Sequence, residues 1–124
     1  MTRQFALLIP ALLLFMLPAA EAEPPEALII DINPQQADTD DIIQFMGYFS
    51  DNDGDDLNYF YWNSSLDGEL QSGNDAGELA FQMEADQLEG GNRTVPLQVR
   101  TNGNEWSANA SSWLNITEPE VQPL

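Results

Sequence analysis

From Ala27 onward the chain switches between apolar and polar positions with the period of two that marks strands, and no stretch keeps a helical spacing. Ala27–Ile32 (ALIIDI) predicts a first strand, stopped by Asn33-Pro34, and residues 35–41 (QQADTDD) predict a polar turn. Ile42–Ser50 predicts a second strand with Ile43, Phe45, Gly47 and Phe49 on its core side, Gly47 marking a close approach or a bulge. An acidic turn from Asp51 to Asp56 then leads into the aromatic strand Leu57–Trp62. There Phe60 and Trp62 share one face, Tyr59 and Tyr61 share the other, and Leu66-Asp67-Gly68 reverses the chain.

Residues 69–77 read as loop with one weak edge strand at most. Leu79, Phe81 and Met83 alternate with Ala80, Gln82 and Glu84, which predicts a strand with one buried face. Asp86–Gly91 reads as a helical turn that plugs Leu88 into the core. In Thr94–Thr101 the residues Val95, Leu97 and Val99 point inward, while Pro96, lacking an N–H, suits an edge or a non-bonded position. Asn102-Gly103-Asn104 is a turn. Trp106 and then Trp113–Thr117 make an interrupted last strand with Leu114 and Ile116 inward. Trp62 is assigned to the core; Trp106 and Trp113 suit core and surface equally. About seven short strands with turn chemistry between them predict an all-β, antiparallel β-sandwich.

The ends read differently. Met1-Thr2-Arg3, the apolar run Phe5–Leu17 and the small residues Ala20-Glu21-Ala22 predict a signal peptide over 1–22, cut after Ala22. The alternative is an uncleaved anchor, for which the run falls short of the roughly 20 residues that span a bilayer. Residues 23–26 are an extended lead-in, 27–118 the domain and 119–124 a loose tail. The expected product is secreted or held at the cell surface, without stable membrane insertion after cleavage.

Charge narrows the partners. The net charge is −18, and Arg3, Arg93 and Arg100 are the only bases, with neither Lys nor His. Nucleic acid and anionic membranes demand a basic footprint, so both are excluded as expected partners. The absence of Cys removes the disulfide staple, and without Cys or His the usual zinc and copper ligands are missing too. Only a hard cation bound through oxygen remains. Nucleophile-and-base pairs are likewise missing. Paired carboxylates could in principle serve a glycosidase, but acids are too abundant here for their proximity to carry information.

Three groups of residues are candidate sites. Asp51, Asp53, Asp55 and Asp56 alternate around Gly54 as oxygen ligands for calcium, with Asn102, Asn104 or Glu105 expected at the same end of a sandwich. The EF-hand register fails, and the competing reading is a solvated hairpin whose aspartates bond their own backbone. Tyr59 and Tyr61 suit a binding surface for a sugar or a protein, the competing reading being cross-strand packing, which aromatic strand pairs do well. Asn63, Asn92, Asn109 and Asn115 head Asn-X-Ser/Thr sequons, candidate glycan acceptors in an exported protein.

The run from Phe45 to Trp62 (F-x-G-x-x-S-D-x-D-G-D-x-L-x-x-F-x-W), then Ser64–Gly68 (S-S-L-D-G), the Leu88-Glu89-Gly90 turn, and V-x-L-x-V-R ahead of N-G-N-E-W-S together resemble the PKD-type immunoglobulin-like domains. The resemblance extends over Ala27–Glu118. It implies an immunoglobulin-like sandwich, no catalysis, and a secreted or cell-surface role in adhesion or in protein or carbohydrate interaction. The alternative function is a calcium-dependent carbohydrate-binding module with Tyr59 and Tyr61 against the sugar.

Overall fold

The structure, a computed structural model, describes residues 23–119. The signal peptide expected over 1–22 and the last residues of the tail lie outside the described residues. The strands are β1 (Glu26–Asn33), β2 (Gln36–Asp38), β3 (Ile42–Ser50), β4 (Leu57–Ser64), β5 (Gly68–Gly73), β6 (Ala80–Glu84), β7 (Gly91–Thr101) and β8 (Ala110–Thr117). They form two sheets, β1-β3-β6 and β2-β8-β7-β4-β5. Every pairing is antiparallel except β2 with β8. Among the described residues no helix is long and apolar enough to cross a membrane. This is an immunoglobulin-like β-sandwich: the alternating pattern predicts the sandwich, and the resemblance to PKD-type domains implies its immunoglobulin-like form.

The two sheets close on Ile43, Phe45, Phe60, Trp62, Val95, Leu97, Val99, Leu114 and Ile116, all buried. Trp62 is central. Phe45 and Phe81 both meet it edge-on, and its Nε1–H donates to the Leu79 carbonyl at 3.1 Å, so the one polar atom of the indole is satisfied inside the core. Gly47 gives this indole room: a Cβ there would sit 2.8 Å from Trp62 Cζ2 and from Leu97 Cδ2. The close approach expected at Gly47 is therefore the reason for the glycine, while the bulge of this sheet lies in β1. There Ile30 is the extra residue between the Ile29–Gly47 and Asp31–Met46 pairs, which lets both Ala27 and Ile32 point inward from an odd spacing.

Two segments differ from the sequence reading. Residues 35–41 were expected as turn alone, yet Gln36–Asp38 is a strand of the second sheet, with Ala37 buried against it. The chain crosses from one sheet to the other at Asn33–Pro34, a cis peptide. Residues 69–77 contain a full edge strand, β5, paired along β4. Among the described residues there are thus eight strands, against the expected seven or so. Pro96 lies in an interior strand: it faces Ser111 of β8, and the β4 ladder ends one residue away at the Trp62–Leu97 pair. Trp106 belongs to no strand and makes only an isolated bridge with Arg100. The turn after β6 is a short 3-10 helix over Ala85–Gln87, followed by buried Leu88.

Candidate functional site

The acidic turn follows from its own side chains. Asp51 accepts from the Asp53 N–H through Oδ1 at 2.9 Å, its carbonyl accepts from the Gly54 N–H at 3.0 Å, and Gly54 takes a φ of 78° that favours glycine. This winding brings one oxygen each of Asp51, Asp53 and Asp55 within 4.8 Å of one another. Asp56 is exposed and stands outside that trio. Withdrawal from solvent first, then the charges of Asp51, Asp53 and Asp56 and a hydrogen bond shared with Asp51, push the Asp55 carboxyl above its ordinary value. Asp51 Oδ2 is shielded and has no hydrogen-bond partner. Asp53 Oδ2 accepts from the Glu23 N–H at 2.8 Å.

The Asn102–Asn104 turn does meet this one. The Asn102 N–H donates to the Asp56 carbonyl at 2.9 Å, and Gly103 lies so close that a Cβ would come within 2.8 Å of Asp55 Oδ2. The Asn102 side chain is engaged elsewhere, accepting from Asn58 Nδ2 at 3.3 Å. The aspartates that follow β2 form an ordinary turn: Asp41 Oδ2 accepts from the Asp38 N–H at 2.8 Å, closing the loop that contains Asp40.

Tyr59 and Tyr61 lie on the outside of the five-stranded sheet, opposite Arg100 and Gln98 of β7. Trp106 joins them, its ring edge-on to both tyrosines with centroids at 6.2 and 5.7 Å. The Arg100 guanidinium lies 5.1 Å from the Trp106 centroid and 6.0 Å from that of Tyr59. Ser107 fixes this arrangement: its N–H donates to the Val99 carbonyl, its hydroxyl accepts from the Val99 N–H, and its own carbonyl accepts from Gln98 Nε2. Tyr61 completes the row by donating to Gln98 Oε1. Trp106 nevertheless stays 38% exposed, and both tyrosines are half-buried.

Asn58 ties the two regions together. Its Oδ1 accepts from Arg100 Nε at 2.9 Å and Nη2 at 2.6 Å, while its amide holds Asn102. A chain of hydrogen bonds thus runs from the acidic turn through Asn102 and Asn58 to the cation beside the aromatic rings.

Arg93 serves structure. Its side chain is fully buried, paired with Asp67 and donating to the carbonyls of Glu89 and Gly91. Burial alone would push the Asp67 carboxyl up, but hydrogen bonds from Ser64, the Glu89 N–H and Arg93, with the Arg93 charge, hold it below its ordinary value. Of the sequon asparagines, Asn92 and Asn109 are exposed, while Asn63 and Asn115 lie part-buried within strands. Trp113 is exposed on β8, away from the Tyr59–Trp106 group.

No protein-family model matches the sequence, and no curated protein matches it either. Among solved structures, a chain from the fibronectin(III)-like modules of Clostridium thermocellum CbhA is similar with a TM-score of 0.60 and 12% identity, over 77% of this chain and 47% of that one. This protein therefore spans about half the length of the chain it resembles. CopC from Methylosinus trichosporium OB3b is a looser match, with a TM-score of 0.42 and 11% identity over 79% of this chain and all of that one. The first likeness supports the β-sandwich fold; neither speaks to activity.

Proposed function

We propose that this chain is a non-catalytic module of PKD type, exported from the cytoplasm, that holds an extracytoplasmic protein or glycan against the outside of its five-stranded sheet. The observation that carries the reading is the group of Tyr59, Tyr61 and Trp106 beside Arg100. These rings come from a strand and a loop, contribute nothing to the core, and keep part of their surface in water at a cost that a partner would remove. Their edge-on packing makes a stepped surface, which suits a single sugar ring or a protein loop better than a flat polysaccharide chain. The leader-like residues 1–22 and the low density of bases support export and a partner that is not strongly anionic. The PKD assignment is supported by the order of motifs from Phe45 to Ser107 on a sandwich of this kind.

The test is a titration of the protein from Glu23 onward with a panel of mono- and oligosaccharides and with soluble cell-surface protein, followed by tryptophan fluorescence. Saturable binding weakened at least about tenfold by Trp106→Ala is the expected result. Binding that Trp106→Ala leaves intact sinks the reading.

A second reading, calcium-dependent carbohydrate binding, is favoured by the oxygen trio of Asp51, Asp53 and Asp55 and by its connection to Arg100 through Asn102 and Asn58. Calcium takes six to eight oxygens, so water or a ligand would have to supply the rest. Thermal unfolding in chelator, in millimolar calcium and in matched sodium chloride decides it. A calcium-specific rise in midpoint that Asp51→Asn abolishes supports an ion here; an equal rise with sodium leaves only charge screening.

A further inference from the structure

The outside of the three-stranded sheet is as apolar as a face that packs. Its outward positions follow from the register, in which Leu28 faces Tyr48, Asp31 faces Met46, Gln44 faces Gln82 and Ile42 faces Glu84. Leu28, Ile30, Ile42, Met46 and Tyr48 are all strongly exposed there, Ile30 at 61% and Tyr48 at 53%. The β1 bulge contributes directly, since it adds Ile30 to the outside without moving Ile32 from the core. Ala80 opposite Met46 leaves a shallow depression bordered by Gln44 and Gln82. An isolated exposed leucine would be ordinary, but five large apolar side chains gathered on two adjacent strands form a patch of the kind that marks an interface.

The charges around this patch select its occupant. Glu26, Asp31 and Glu84 are exposed on the same face. Neither base of the folded body is available to answer them: Arg93 is buried against Asp67, and Arg100 is held by Asn58 and the rings on the other sheet. A second copy docked here would bring an identical acidic rim, on a body whose whole chain already carries −18. A partner whose apolar side chains are flanked by Lys or Arg would meet complementary charge at every side. We infer that the outside of the β1-β3-β6 sheet is a docking surface for a cationic, amphipathic segment of another protein, separate from the Tyr59–Trp106 group on the opposite sheet.

The experiment uses the protein from Glu23 onward, which contains every strand and core residue described above. Two synthetic peptides of equal charge serve as probes, one of Lys and Leu in amphipathic helical order, the other with Ser in place of each Leu. The Lys/Leu peptide is expected to bind at least about tenfold more tightly than the Lys/Ser peptide. That excess is expected to vanish in Leu28→Ser/Tyr48→Ser and to persist in Trp113→Ser, whose tryptophan is equally exposed on the other sheet. Circular dichroism of each variant confirms that the sandwich is intact, and Ile30→Ser, at the most exposed position, serves as a second variant if the double one unfolds. Equal binding of the two peptides, or an excess that these substitutions leave unchanged, overturns the proposal. So does a dimer in sedimentation equilibrium that Tyr48→Ser dissolves, or apolar binding to neutral phosphatidylcholine vesicles that replaces the preference for the peptide.

Discussion

Asp67→Asn should be among the most damaging single substitutions in this protein, although Asp67 lies in a turn. The Arg93 side chain has no exposed surface, and its partner carboxylate is itself only slightly exposed. Removing the carboxylate charge leaves a guanidinium in a site that water cannot reach, facing only neutral acceptors, the Asn amide oxygen and the Glu89 and Gly91 carbonyls. Breaking a buried pair from one side costs about 3–5 kcal/mol, whereas a surface pair is worth about 0–1 kcal/mol. For a domain of this size that loss lowers the midpoint by on the order of 20 °C. It is also a large part of the 5–15 kcal/mol that such domains typically have. Urea unfolding of both proteins, followed by circular dichroism from pH 7 to pH 3, measures it. Because folding depresses the Asp67 pKa, its contribution is fully present above the unfolded value near 3.9 and is lost as pH falls through the lower folded value. The gap between wild type and variant should therefore be constant from pH 7 to about 5 and narrow progressively as pH falls from about 4 to 3. A loss under about 1 kcal/mol at pH 7 would refute the reasoning, since it would mean that Arg93 reaches water or another acceptor.

Further outcomes follow from the core, the acidic turn and the position of Glu23. Gly47→Ala should cost about 1–3 kcal/mol in the same unfolding assay, because its Cβ would press at 2.8 Å on Trp62 and Leu97, both fully buried. Asp55→Asn should raise the thermal midpoint at pH 7 in chelator. Its carboxyl has a raised pKa, so folding is favoured with the proton on and loses that advantage as pH rises through the folded value; the gain should fade on acidification. If cleavage follows Ala22, the new Glu23 ammonium lies beside Asp53, so a protein beginning at Glu23 should unfold at a slightly higher temperature than one with two added N-terminal residues, the difference shrinking in salt.

Most of the sandwich was legible because its inner residues alternate without exception in β4 and β7: Phe60 and Trp62, then Val95, Leu97 and Val99. β2 was not legible, since one buried alanine among polar neighbours gives no period, and its strand character comes wholly from pairing with β8. β5 was legible only as a weak edge strand, since GELQSG has no buried residue to set a period. At the candidate site, the sequence placed Tyr59 and Tyr61 on one face and the acidic turn beside Asn102–Asn104. It gave no sign that Trp106 and Arg100 complete the aromatic group, because that depends on Ser107 bonding to Val99 across a loop. The outer apolar face is visible in I-I-Q-F-M-G-Y-F, where Ile42, Met46 and Tyr48 make the second parity of β3 apolar too, but a period of two alone marks only which residues share a face. Arg93 and Asp67 are 26 residues apart, so their pairing had no local signature.

The most direct test of the proposed binding surface is hydroxyl-radical footprinting of the protein, free and bound to extracytoplasmic surface material that retains it. The account predicts that Tyr59, Tyr61 and Trp106 are protected on binding while Trp113 oxidises at its free rate. Unchanged oxidation of Tyr59, Tyr61 and Trp106 in the bound protein would contradict it.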